Sequence, residues 1–172
     1  IVGDSKSLNQ MLKNMSLDIS IRHFYGDVKF VYILNDSVIK DFEWVRWLKN
    51  VNNEQLDIKN IVCDEESKNS VLEYLYLELS NREQSARAIN DNIYSIHYVV
   101  FVRDVSQISC HPVTKYINES SKYGFTFVFF DEYEENIPMG CTQMIRLSNE
   151  NTILNTENGD LVTSFKFVDV SN

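Results

Sequence analysis

Tyr98-Val99-Val100-Phe101-Val102 decides the fold: every residue is aromatic or β-branched, and the run stops on Arg103-Asp104. A half-exposed strand alternates apolar and polar residues, whereas an unbroken run of this kind suits a strand covered on both faces, as at the centre of a parallel sheet. Val28-Lys29-Phe30-Val31-Tyr32-Ile33-Leu34 has the same character, Ile61-Val62-Cys63 is a shorter version, and Gly124 opens a fourth run, Phe125-Thr126-Phe127-Val128-Phe129-Phe130. Parallel strands need crossovers, and the intervening segments carry helical periodicity. Residues 5–24 place Leu8, Met11, Leu12, Met15 and Ile19 on one face, with Asp4 or Ser5 as N-cap. A short helix over 40–48 holds Phe42, Trp44, Val45, Trp47 and Leu48, a long one over 66–88 turns Val71, Leu72, Leu75 and Leu79 inward, and a modest one covers 112–121. After Pro138-Met139-Gly140, the segment Gln143 to Leu147 reads as a strand, and Ile153-Leu154 with Leu161 to Phe167 as a closing hairpin around Asn158-Gly159. The expected architecture is α/β: a three-layer sandwich with a mostly parallel sheet and an antiparallel hairpin at the C-terminal end, formed by residues 1–172 as one domain.

Composition narrows the partners. A net charge of −9 lacks the clustered Lys and Arg that displace counterions from nucleic acid, and it disfavours adhesion to an anionic membrane leaflet. Every apolar run is shorter than the roughly 20 residues needed to span a bilayer, so no direct membrane insertion is expected of this segment. Ile1-Val2-Gly3-Asp4 has neither the basic start nor the apolar middle of a signal peptide, and it reads as the end of a strand already under way in a longer polypeptide. Cys63, Cys110 and Cys141 are odd in number and widely spaced, which predicts reduced thiols rather than a disulfide framework.

Chemistry-bearing patterns are weak. Gly3-Asp4-Ser5-Lys6-Ser7 joins strand to helix where this topology often holds phosphate, and Lys6-Ser7 mimics the end of G-x-x-x-x-G-K-[ST]. No glycine precedes Lys6, however, and Asp4 would set a negative charge against the ligand, so a capped helix start is expected. Phe127-Val128-Phe129-Phe130-Asp131-Glu132 matches an apolar strand ending in a magnesium-binding acid pair. Its continuation, Tyr133-Glu134-Glu135, reads as a solvated acidic loop. Cys110-His111 are adjacent, and none of the three histidines has metal-ligand spacing, so no catalytic residue, cofactor or metal ligand is expected. The most distinctive segment is Asp41-Phe42-Glu43-Trp44-Val45-Arg46-Trp47-Leu48. Helical spacing puts Trp44, Val45 and Leu48 on one inward face. It leaves Trp47 open between the core and a surface anchor shared with Arg46 and Glu43, Trp and Arg being enriched at hot spots.

Taken in order, Ile1-Val2-Gly3 before a long helix, Phe42-Glu43-Trp44-Val45-Arg46-Trp47-Leu48, Ile61-Val62-Cys63-Asp64-Glu65 and His97-Tyr98-Val99-Val100 resemble the EssC/EccC family. These are the membrane-anchored FtsK/SpoIIIE-like ATPases of type VII secretion. The similarity is to the degenerate domain between their transmembrane helices and first ATPase module. It departs from the family pattern where Lys49-Asn50 follow Trp47-Leu48 in place of Pro-His, and where Ile96 stands before His97 in place of Pro. The resemblance implies a P-loop NTPase-like fold without Walker motifs, in a divergent Gram-positive member of the family. It would lie on the cytoplasmic side of the membrane, as a non-catalytic module contacting other secretion components and adjacent domains of the same ATPase. Interaction residues expected on that reading are Trp47, Arg46, Glu43, Asp131 and Glu132. The alternative expectation is a regulatory nucleotide-binding domain that would use Gly3 to Ser7 for phosphates and Asp131 or Asp104 for magnesium.

Overall fold

The computed structural model describes residues 1–62, 64–88 and 94–166. Helix α1 (Ser5–Arg22) starts where the Asp4 carboxylate accepts the Ser7 amide, and ends where the His23 amide returns to the Ile19 carbonyl. It leads to β1 (Val28–Ile33), a short α2 (Asp36–Ile39) and a 3₁₀ helix over Lys40–Trp47. Two-residue strands β2 (Asn52–Asn53), β3 (Ile58–Lys59) and β4 (Ile61–Val62) precede the long α3 (Glu65–Ala88) and β5 (His97–Val102). A second 3₁₀ helix, Pro112–Tyr123, leads into β6 (Phe125–Phe129), and β7 (Gln143–Arg146), β8 (Asn151–Asn155) and β9 (Leu161–Phe165) follow.

Strands β4, β1, β5 and β6 form one parallel sheet in that order, with Val28 opposite His97 and Tyr98 opposite Phe125 at its lower edge. Because side chains alternate across a strand, the central runs split their residues by type. Phe30, Tyr32 and Phe101 face the layer of Leu8 and Leu12 from α1 with Phe42 and Val45. Val31, Ile33, Val100 and Val102 face Val71, Leu72, Leu75 and Leu79 of α3 and Val113 and Tyr116 of the second 3₁₀ helix. The result is the expected three-layer α/β arrangement. One polar group enters the α1 layer with its partners: the Tyr32 hydroxyl donates to Ser16 Oγ at 2.8 Å, which in turn donates to the Leu12 carbonyl.

Several local features differ from the sequence expectation. Residues 112–123 wind as 3₁₀, where Thr114 and Ser120 hydroxyls bond carbonyls three residues back and favour the tighter turn. Gly124 ends that helix at φ 72° and its amide bonds back to Ser120 and Ser121. The β2–β3 ribbon has no apolar alternation to announce it, and turns through Asp57 at φ 55°. The C-terminal hairpin is the outer part of a three-stranded antiparallel sheet, β7-β8-β9. Cys63, and the expected strand end at Phe167, lie outside the described residues.

Residues 1–3 connect the two sheets. Val2 bridges in parallel to both Asp131, just past β6, and Arg146 of β7. On the β7 side the Val2 amide donates to the Ile145 carbonyl (2.8 Å) and Leu147 donates to the Val2 carbonyl (2.7 Å). On the β6 side Asp131 donates to the Ile1 carbonyl (3.1 Å) and Gly3 donates to the Asp131 carbonyl (3.3 Å).

Candidate functional site

The strand-to-helix turn at Gly3–Ser7 is occupied by the chain itself. A phosphate at a helix N-terminus needs free amides and the positive end of the helix dipole. Here Asp4 takes that place, accepting the Ser7 amide at 3.0 Å and the Ser7 hydroxyl at 2.6 Å. Those two bonds hold its carboxyl below the ordinary range, so it stays charged. Gly3 has a packing reason of its own, since a Cβ there would lie 2.8 Å from Leu147 Cβ.

Arg103 fills the space beside the turn. Its buried guanidinium donates to Ser5 Oγ (3.2 Å) and the Phe130 carbonyl (3.4 Å), and lies 3.9 Å from Glu132. Burial lowers the Arg103 pKa, opposed by the carboxylates of Glu132 and Asp131, and its Nε hydrogen has no partner among the described residues. The residue thus ties the ends of β5 and β6 to the start of α1, a role that one arginine after an apolar strand does not signal in the sequence. Asp104 accepts from the Ser106 amide and hydroxyl, capping the turn Val105–Gln107. Asp131 accepts from the Tyr133 amide and Asn136 Nδ2, which closes its own loop. The His111 ring likewise accepts the Val113 amide and caps the helix Pro112–Tyr123. Among the described residues no three His, Cys, Asp or Glu side chains gather as a metal site.

Three of the expected interaction residues meet elsewhere, on the β4 side of the sheet. The 3₁₀ winding of Lys40–Trp47 repeats every three residues, so Phe42, Val45 and Leu48 line up inward. Phe42 and Val45 are buried, while Trp44, expected in that row, is half-buried against its edge. The same repeat aligns Glu43 with Arg46 outward and leaves Trp47 84% exposed. Glu43, Arg46 and Trp47 rim a groove of about 460 Å³ whose floor is Ile39, Phe42, Ile58 and Ile61. Ile58 and Ile61 come from β3 and β4, and only the folded chain brings them to Trp47. Asp131 and Glu132 sit at the end of β6, at the opposite side of the parallel sheet from β4, so they are no part of this groove.

No family model matches the chain. It is 26% identical over 170 residues to the type VII secretion system protein EssC of Staphylococcus aureus strain MSSA476, a match covering 96% of this chain and 11% of that protein. EssC of strain NCTC 8325 gives 25% identity over the same length. The ESX secretion system protein EccC of Geobacillus thermodenitrificans is 25% identical over 151 residues, 87% of this chain and 10% of that protein. The chain therefore spans about a tenth of the length of the relatives it matches. Among the described residues no helix is long and apolar enough to cross a membrane. The match runs almost end to end along this chain, and the chain is similar to one segment of EssC and EccC secretion system proteins from two genera.

Proposed function

We propose that this chain is a non-catalytic structural and interaction module of a type VII secretion ATPase. It lies on the cytoplasmic side of the membrane and links the membrane anchor to the motor modules. One observation carries the non-catalytic reading: the Asp4 carboxylate already caps the helix start at which a nucleotide phosphate would bind. A second anion there would meet a fixed negative charge at close range, and the neighbouring Arg103 is turned to Ser5 and Phe130. The interaction role rests on the Trp47 groove, an apolar floor beside an exposed Trp and Arg of the kind that anchors protein interfaces. Other secretion components and adjacent domains of the same ATPase are its proposed partners. The acidic loop is the weaker contact surface, because Asp131 is committed to Tyr133 and Asn136 and Glu132 lies near Arg103.

Isothermal titration with Mg-ATP and Mg-ADP tests the reading. The expected result is no saturable heat and no thermal stabilisation at millimolar nucleotide. Saturable binding that Lys6→Ala abolishes would overturn it and make the domain a nucleotide sensor.

A further inference from the structure

The bonding of residues 1–3 determines which backbone groups of β6 and β7 face one another. Phe130 donates toward β5, to the Val102 carbonyl, whereas the Phe129 carbonyl and the Asp131 amide bond Ile1 on the opposite edge. Backbone groups alternate in this way along a strand, so Phe125 and Phe127 also turn away from β5. Ile145 accepts from Val2, and by the same alternation Gln143 of β7 faces β6. Residues 1–3 bond to both sides, Val2 to β7 and Ile1 and Gly3 to the β6 side, which sets the two edges two strand spacings apart, about 9.5 Å. A groove of about 350 Å³ runs on from Ile1 between β6 and β7, walled by Met15 of α1 on one face and Ile117 of the 3₁₀ helix on the other. Two parallel edges, one strand's width apart and covered on one face by α1 and on the other by the 3₁₀ helix, which adds Asn118, Ser120 and Ser121 beside Ile117, form the seat of a central strand.

We propose that in the parent protein the polypeptide leading into Ile1 runs through this groove as a β-strand of about five residues, parallel to β6 and β7. The register follows from Ile1 and Val2. The residue immediately before Ile1 donates to Gln143 and accepts from Ile145, and the residue two before it donates to Phe127 and accepts from Phe129. Its side chains are apolar on both faces, one set toward Met15 and the other toward Ile117. This occupant is favoured over a strand from another molecule because Ile1 and Val2 already bond both edges in the register that a residue upstream of them would continue. The relatives are long enough to supply it, since the present chain covers 11% of EssC. Such a strand turns the two sheets into one mixed sheet and couples the domain to whatever precedes it without a flexible joint.

Hydrogen exchange tests the proposal on the full-length parent protein and on the 172-residue chain. In the parent, the amides of Phe127, Phe129 and Ile145 are expected to exchange as slowly as those of Val100 and Val102. In the 172-residue chain the first group is expected to exchange at least about a hundredfold faster while the second stays slow. Extending that chain by its ten natural upstream residues should restore the protection. A proline placed two residues before Ile1 in the parent, which removes the donor to Phe127, should strip protection from the groove amides and spare Val100 and Val102. Equal exchange in the short and long chains, or groove protection that the proline leaves intact, would overturn the proposal.

Discussion

Replacing Trp47 by alanine separates anchoring from packing, because so little of this residue is buried. With 84% of its surface exposed, only about a sixth of a side-chain area of roughly 250 Å² is covered. That is about 40 Å², and at about 25 cal/mol per Å² its loss costs at most about 1 kcal/mol of stability. For a domain of this size the melting temperature should fall by no more than about 2–4 °C. A Trp anchor seated by a partner is worth about 2 kcal/mol or more, roughly a thirtyfold loss of affinity on truncation. Calorimetry on the domain, with co-purification of other secretion components by the full-length Trp47→Ala protein, reads both quantities. Phe42→Ala is the control for a structural effect: Phe42 is buried beneath the same groove, and its removal should cost about 3–5 kcal/mol. If Trp47→Ala melts more than about 8 °C lower, Trp47 is a packing residue and the burial argument fails. If it melts normally and co-purification and secretion are untouched, the groove is not the partner surface.

Two further outcomes follow from the interior. Ser16→Ala should cost about 1–3 kcal/mol by chemical denaturation, because it leaves the buried Tyr32 hydroxyl without an acceptor. Tyr32→Phe should cost less, about 0.5–1.5 kcal/mol, since Ser16 keeps its bond to the Leu12 carbonyl; a reversed order would refute the assigned donor directions. His97, whose ring bonds Thr126 Oγ1, has its pKa lowered by burial and then by the charges of Arg82 and His23. The unfolded chain therefore binds this proton more readily than the folded one, so the contribution is fully present above about pH 6.5 and is lost as pH falls through the lowered folded value. His97→Gln should flatten that part of the stability–pH curve, and an unchanged curve would show that other groups control it.

The parallel sheet was legible because runs such as Tyr98 to Val102 leave no polar face, and α1 and α3 because their apolar spacing persists over many turns. The segment Lys40–Trp47 was harder to read. Over eight residues, periods of 3.0 and 3.6 diverge by only a fraction of a turn, and that fraction moves Phe42 into the inward row and Trp44 to its edge. Glu43 and Arg46 were readable as outward-facing from their charge, whereas Trp47 stayed open between core and surface until the fold left it 84% exposed. The Ile58 and Ile61 floor was not readable, because it rests on two-residue strands with no periodicity to detect. Arg103 was hidden for a similar reason: its meaning lies in Ser5 and Phe130, far away in sequence.

The bonds around residues 1–3 also set how the domain bears tension. Ile1 and Val2 are held on two sides at once, to Asp131 and Phe129 on one and to Ile145 and Leu147 on the other. Force applied to Ile1 along the strand axis therefore loads those bonds together, in shear, instead of peeling them one after another. Among the described residues β9 is paired along one edge, to β8, so force applied there meets a single row. The rate of forced unfolding, more than equilibrium stability, determines which end yields, and the β9 side is the end that gives first.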